Sequence, residues 1–240
     1  MKLLAFDTST ETLSIAVSAG IGAPVLEHTA AGGALASAAL IPAITDLLAR
    51  AGLALRDLDA IAFGRGPGSF TGLRTAAAVA QGLGFGAGVP VLAIDTLLAV
   101  ADEAHAQSGA ERVVALLDAR MDEVYFAAYE RVQERWRTHR PPSLARPQDV
   151  ELPTGWALAG NVLELHAQRL PAGGPRIAAL PTARALLRLA PQALEDGSDH
   201  AAAHALPLYI RDKVAQTTEE RAAERARKDL LRGVSAMEPR

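Results

Sequence analysis

The stretch GRGPGSFTGLR at residues 64–74 decides how the rest of the chain can be placed. An apolar run at residues 59–63 precedes it and has the length of a buried strand. Glycine accepts positive φ angles and proline fixes its own φ, so a tight loop is expected next. Ser69 or Thr71 can then cap a helix by accepting from backbone N–H groups one turn on. The predicted structural loop comprises Gly66, Pro67, Gly68, Ser69, Thr71 and Gly72.

A glycine loop at a helix N-terminus can also bind phosphate, because free N–H groups and the helix dipole converge there. The residues argue against that use. Leu73 follows Gly72 at the position where a P-loop has lysine, and the glycine spacing does not match GxGxxG. We therefore favour an architectural loop and keep phosphate binding as the alternative.

The helix predicted at about 71–86 carries small residues four positions apart, which places them on one face. Such a face lets another element approach closely, either the chain's own sheet or a helix of a partner. A second helix, predicted at about 38–51, offers large aliphatic side chains that could complete a helix–helix interface with a partner. The predicted partner interface comprises Leu40, Ile41, Ile44, Leu47, Leu48, Leu73, Ala76, Ala80, Leu83 and Gly84.

Length and composition bound the remaining possibilities. The chain has 240 residues, a formal charge of −3 and 50% hydrophobic residues, enough for one large domain or two small ones. It has no cysteine, which excludes disulfides and zinc–thiolate sites, and its charge gives no footprint for nucleic acid. The uncharged run at 75–94 is explained better by a helix, a glycine turn and a strand than by a membrane span. We expect a cytoplasmic protein without membrane association.

The order of predicted elements indicates an α/β fold. Strands at 2–7, 13–18 and 23–29 precede alternating helices and strands, which builds a mixed sheet with helices on its faces. The pattern restarts with strands at 113–118 and 123–129, and Asp7 and Asp118 end the first strand of each hairpin. We therefore predict a duplicated β-β-β-α-β-α fold with a degenerate second half. The expected units are an N-terminal subdomain at 1–105, a smaller subdomain at 106–212 and a charged helix or tail at 213–240.

The second half has weaker signals. A third strand is expected at 133–139, followed by an irregular crossing at the prolines of 141–147. Residues 155–160 predict a short strand, 161–170 a short helix, and 182–194 an arginine-bearing helix.

Two halves of this kind resemble the actin, hexokinase and Hsp70 superfamily. Four motifs stand in the order seen in the TsaB (YeaZ) family, and the resemblance covers residues 1 to about 212. These motifs are FDTST at 6–10, GPGSFTGLR at 66–74, DARMDEVY at 118–125 and Pro207-x-Tyr209-x-Arg211. One departure is residues 33–37, GALAS, where family members often carry a His-Ser-Glu stretch.

The resemblance implies a function without catalysis. TsaB-family proteins bind and activate the TsaD transferase and, with the ATPase TsaE, support threonylcarbamoylation of adenosine 37 in tRNAs that read codons beginning with A. The resemblance implies that tRNA is contacted only through the complex and that the same helices can form a homodimer. No cofactor of its own is expected, although a nucleotide can bind at the interface with TsaD.

Kinase and metalloprotease functions are the alternatives. A kinase of this fold needs glycines beside the hairpin aspartates, and neither hairpin has one; Asp7 and Asp118 remain weak nucleotide candidates that we expect to form turns instead. His200 and His204 are four apart and could share a metal on a helix, but the glutamate of an HExxH site is missing. We therefore predict no catalytic residue and no metal site.

Overall fold

The computed structural model describes residues 1–33, 36–196 and 200–211, and its elements form two five-stranded sheets. The first sheet has the strand order β3-β2-β1-β4-β5. Its strands are β1 (Lys2–Asp7), β2 (Thr12–Ala19), β3 (Leu26–Ala31), β4 (Ala60–Gly66) and β5 (Val91–Asp95). The first three strands form an antiparallel meander, whereas β4 and β5 run parallel to β1.

Three helices belong to this part of the chain. They are α1 (Ala36–Arg50), α2 (Phe70–Ala87), which connects β4 to β5, and α3 (Thr96–Ser108), which follows β5. One core cluster packs α1 and α2 against one face of the first sheet, with Phe6 and Phe63 at 0% exposure. The amphipathic spacing of Leu40, Ile44 and Leu47 explains why α1 lies on this face.

The second sheet has the strand order β10-β9-β6-β7-β8. Its strands are β6 (Arg112–Asp118), β7 (Val124–Val132), β8 (Arg135–Ala145), β9 (Ala157–Gly160) and β10 (Arg176–Ala178), and helix α4 (Ala183–Glu195) follows. The largest core cluster joins side chains of both sheets with α3 and α4. A third cluster, around Trp156, covers the other face of the second sheet.

The two sheets with helices confirm the predicted α/β class. The subdomain bounds at 105 and 212 and the duplication stay predictions, and the predicted tail at 213–240 lies outside the described residues.

Two predictions for the second half were wrong, and one strand was missed. Residues 161–170 form a succession of turns instead of a helix, with His166 N donating to Val162 O at 3.0 Å. Pro141 and Pro142 lie inside β8, which tolerates them because it is an edge strand whose register with β7 shifts there. The short strand β10 was not predicted.

Candidate partner-binding site at the glycine loop and helices α1 and α2

The glycine loop packs directly on the turn that follows β1. A Cβ on Gly72 would lie 1.9 Å from Thr8 O, and one on Gly68 would lie 2.4 Å from Ser9 O. Ser69 N donates to Ser9 O at 2.7 Å, and Thr8 Oγ1 donates to Gly72 O at 2.7 Å. The glycines are therefore required by the close approach of two backbones, which supports the architectural interpretation of the loop. The Ser69 hydroxyl accepts from Gly72 N at 3.5 Å, as expected for the N-cap of α2.

Asp7 lies beneath this loop and is fully buried. Its Oδ1 accepts from Ser9 N at 2.8 Å and from Ser9 Oγ at 2.6 Å, and its Oδ2 accepts from Thr96 Oγ1 at 3.4 Å. Burial raises the pKa of the Asp7 carboxyl to about 6, although the hydrogen bonds from Ser9 and Thr96 act in the opposite direction. The hydrogen bonds that the Asp7 carboxylate accepts therefore come from residues of the chain's own fold.

Asp118 occupies the matching place in the second sheet. Its Oδ1 accepts from Arg120 N at 2.8 Å, the same contact to the residue two positions on that Asp7 makes with Ser9. Both aspartates thus form the side-chain-to-backbone turns expected for them. The Arg120 guanidinium also pairs with Asp118 and with Glu11, which lies in the β1–β2 turn.

The fourth sequence motif converges on the loop. Leu208 N donates to Arg65 O at 2.7 Å, so residues flanking Pro207 run beside the end of β4. The ring of Tyr209 lies 5.5 Å from that of Phe70, and its hydroxyl accepts from Arg74 Nε at 3.1 Å. Two motifs far apart in the sequence therefore form one surface at the start of α2.

Burial puts most of the predicted interface residues in the chain's own core, and the interface itself stays a prediction. Those that lie in the chain's own core are Leu40, Ile44, Leu47, Leu48, Leu73, Ala76, Ala80 and Gly84, and Leu83 is half-buried. The physical reason is visible at Gly84, where an added Cβ would lie 2.4 Å from Val91 Cγ2 and 3.1 Å from Ala202 Cβ. The small stripe allows α2 to pack on β5 and on the segment around Ala202. Of the ten predicted residues, Ile41 is exposed, at 50%.

A second small stripe on α2 faces away from the core. Ala78, Gly82 and Gly86 are exposed at the same spacing of four, and a Cβ on Gly82 or Gly86 would meet nothing within 4 Å. Phe85 lies beside it with 67% of its surface exposed. The exposed face of α2 comprises Ala78, Gly82, Phe85 and Gly86, and Ile41 is the exposed residue among the predicted interface residues of α1.

Comparison with known proteins places this geometry in a family. A TsaB protein of Escherichia coli (strain K12), named as a tRNA threonylcarbamoyladenosine biosynthesis protein, is 35% identical over 231 residues, covering 90% of this chain and 96% of the relative. The chain belongs to the TsaB (YeaZ) family. The TsaB protein of Haemophilus influenzae is 37% identical over 89% of this chain and 95% of its own length.

Structure and family models agree with the TsaB assignment. YeaZ from Pseudomonas aeruginosa is 42% identical and superposes with a TM-score of 0.80, over 87% of this chain and 99% of that chain. Residues 34–162 match a family model described as TsaD, tRNA N6-adenosine threonylcarbamoyltransferase.

The histidine pair of this TsaB-family chain does not lie on an α-helix. His204 ends a 3₁₀ turn, Ala202–His204, and both His200 and His204 line a cavity of about 260 Å³ beside β5. Within the described ranges no group of three or more His, Asp or Glu side chains is arranged to hold a metal. No helix in that part of the chain is long and apolar enough to cross a bilayer.

Sequence reasoning missed two contributors to the site. One is Thr96, whose hydroxyl accepts from Gly66 N at 3.0 Å and donates to Asp7, which ties the loop to the buried carboxylate. The other is Asp95, which precedes α3; its side chain makes no cap hydrogen bond and pairs with Arg65 Nε at 2.6 Å. The signal that could have shown this is the Arg65–Asp95 charge pair at the ends of two adjacent parallel strands.

Proposed function

We propose that this chain acts as the TsaB subunit in tRNA threonylcarbamoyladenosine biosynthesis, where it binds a TsaD-type transferase and carries no catalytic group itself. The observation that carries the proposal is the match to TsaB proteins over 96% and 95% of their lengths. The family-model match over residues 34–162 supports a fold shared with the transferase.

The state of the two hairpin aspartates supports a role without catalysis. A catalytic carboxylate must reach a substrate or its metal, yet Asp7 is 0% exposed and already accepts three hydrogen bonds. Asp118 binds the backbone and side chain of Arg120. Both groups therefore serve the turns in which they lie.

The proposed partner surface is the exposed face of α1 and α2. Phe85 and Ile41 supply apolar area, and the open stripe at Ala78, Gly82 and Gly86 lets a partner helix come close. Pairing with two helices of the transferase would form a four-helix bundle and bury on the order of 1,600 Å². We further propose that a second copy can use the same face when the partner is absent.

The proposal also covers the other members of the complex, its compartment and its cofactor. A TsaE-type ATPase joins the complex, tRNA is contacted through the transferase, and the complex works in the cytoplasm. The chain has no cofactor of its own in this scheme, and any nucleotide binds at the interface with the transferase.

The test is reconstitution. The cognate transferase, the ATPase, a source of the threonylcarbamoyl group and an unmodified tRNA are combined with and without this chain, and modified adenosine is measured by mass spectrometry. Modification is expected only when the chain is present. Equal modification without it would overturn the proposal, and turnover of ATP or peptide by the isolated chain would overturn its non-catalytic part.

A further inference from the structure

Of the three arginines that line one cavity beside the second sheet, Arg131 has no carboxylate partner among the described residues. A cavity of about 630 Å³ lies between α3, α4 and the hairpin of β7 and β8, and Arg131, Arg135 and Arg188 line it. Arg188 pairs with Asp102 at 2.6 Å and Glu103 at 3.1 Å. Arg135 pairs with Glu195 and, at 2.9 Å, with Asp196. Across residues 1–33, 36–196 and 200–211, Arg131 forms no ion pair with an Asp or Glu.

A hydrogen bond to His105 fixes the orientation of the Arg131 side chain. Arg131 Nη1 lies 3.1 Å from His105 Nε2, and since arginine can only donate, the imidazole nitrogen accepts. The other ring nitrogen of His105 then carries the hydrogen and donates to Ala110 O at 3.1 Å. His105 also packs edge-on against Trp136, whose Nε1 donates to the buried Asp102. The guanidinium is thus held by a fixed network.

The free edge of the guanidinium points to a ligand. With Nη1 bound to His105, Nε and Nη2 remain, and these two atoms form the edge that binds an oxyanion in a bidentate manner. Arg131 Nε is buried and has no hydrogen-bond acceptor in the described chain. A buried charged donor without an acceptor is costly, so an unpaired one indicates a missing partner such as a bound ion or water.

We propose that Arg131 anchors a binding site for a small carboxylate ligand in this cavity. The volume suits a small molecule, and Ala106, Leu189 and Pro191 supply apolar walls for the rest of the ligand. Three arginines and three carboxylates, Asp102, Glu134 and Glu195, line the cavity, so its formal charge is balanced. That balance favours a singly charged carboxylate over a doubly charged phosphate.

Binding can be measured on the intact chain without knowing the natural ligand. The probe is sodium butyrate, with butyramide as its neutral isostere and inorganic phosphate as the competing anion, all at constant ionic strength. The readouts are isothermal titration and the ¹⁵Nε–¹H signal of Arg131. Butyrate is expected to bind and to shift that signal, and butyramide is not. Equal effects of the two, tighter binding of phosphate, or an unmoved Arg131 signal would overturn the proposal.

Variants separate the site from general surface charge. Arg131→Gln should weaken butyrate binding roughly tenfold or more, and Arg131→Lys should weaken it too because lysine lacks the planar edge. The matched control is Arg137→Gln, an exposed arginine of β8, which should bind as the wild type does. Equal loss in the control would overturn the assignment. If the Gln variant does not fold, the wild-type signal and the Lys variant decide the matter. A butyrate affinity that rises several-fold in Glu134→Gln identifies Glu134 as a competitor for Arg131 and supports the site.

Discussion

Asp7 and Gly64 lie against each other so closely that a Cβ on Gly64 would stand 1.7 Å from Asp7 Oδ2. The carboxylate of Asp7 fills the space that a side chain at position 64 of β4 would take. Thr96 Oγ1 also donates a hydrogen bond to Asp7 Oδ2, at 3.4 Å. No cation lies among its hydrogen-bond partners, which are Ser9 and Thr96. The relationship explains why a glycine follows the apolar run of β4 and why Asp7 is poorly placed to reach a substrate.

Asp7 should make stability fall as pH rises. Its pKa is about 6 in the folded chain against an ordinary 3.8, so the folded state binds the proton more tightly than the unfolded state. The stability that this group contributes is therefore fully present below pH 3.8 and is lost as the pH rises from there through about 6. The loss is roughly 3 kcal/mol of unfolding free energy.

The measurement is chemical denaturation of the wild type and Asp7→Asn at pH 4 and pH 7. The asparagine keeps the shape and cannot ionise, so its difference between the two pH values should be smaller by about 2 kcal/mol, the part of that loss that falls between pH 4 and pH 7. Asp46→Asn on the exposed side of α1 is the control and should follow the wild type. A wild type and an Asp7→Asn variant with the same pH dependence would show that Asp7 does not titrate in this range.

The two small stripes of α2 should respond oppositely to alanine. Gly84→Ala places a methyl group 2.4 Å from Val91 Cγ2, and the overpacking should cost about 1–3 kcal/mol. Gly82→Ala meets nothing within 4 Å, so the better helix propensity should raise stability by about 0.5–1 kcal/mol. Urea unfolding of both variants measures the difference. Stabilisation by Gly84→Ala would contradict the packing of this stripe on β5.

The β7–β8 hairpin carries avoidable backbone strain. Val132 pairs with Arg135, so Gln133 and Glu134 form a two-residue loop, with φ of 50° and 64°. Loops of this kind favour Asn-Gly, because left-handed angles cost other residues about 1–2 kcal/mol each. The double variant Gln133→Asn with Glu134→Gly should raise the unfolding free energy by about 1–2 kcal/mol. The control is Gln168→Asn, because Gln168 does not have a positive φ. An equal gain in the unfolding free energy of the control would show that the effect does not come from relieved backbone strain.

Much of the fold near the glycine loop could be predicted because its signals are local. The two hairpins whose first strands end at Asp7 and Asp118, the Ser69 cap and the helix after it each depend on neighbouring residues. The inward face of α2 could not be predicted, since one small stripe passes through Ala80 and another through Gly82. Helical spacing is the same for both, and only contacts with β5 and Ala202 distinguish them.

Turns in the second half escaped prediction for a related reason. Residues 161–170 have apolar side chains at spacings that suit a helix, but the chain buries Val162, Leu163 and Leu170 through successive turns and leaves Leu165 67% exposed. The choice depends on packing against Trp156 and the second sheet, which a single sequence does not reveal. The contact between Tyr209 and Arg74 was hidden in the same way, because it joins residues 135 apart.

Tryptophan at two positions of α2 separates the core from the partner surface. Ala80 is 0% exposed, so Ala80→Trp should overpack the core and abolish cooperative melting of the isolated chain. Gly82 faces open space, so Gly82→Trp should keep the melting temperature within a few degrees while its bulk blocks the approach of a partner helix. The measurements are thermal melting, and size exclusion with the cognate transferase followed by the tRNA modification assay. Glu164→Trp, exposed among the turns of the second sheet, is the control that should keep both fold and binding.

A folded Ala80→Trp that no longer binds would return the interface to the buried stripe. Wild-type binding by Gly82→Trp would move the interface off the exposed face of α2.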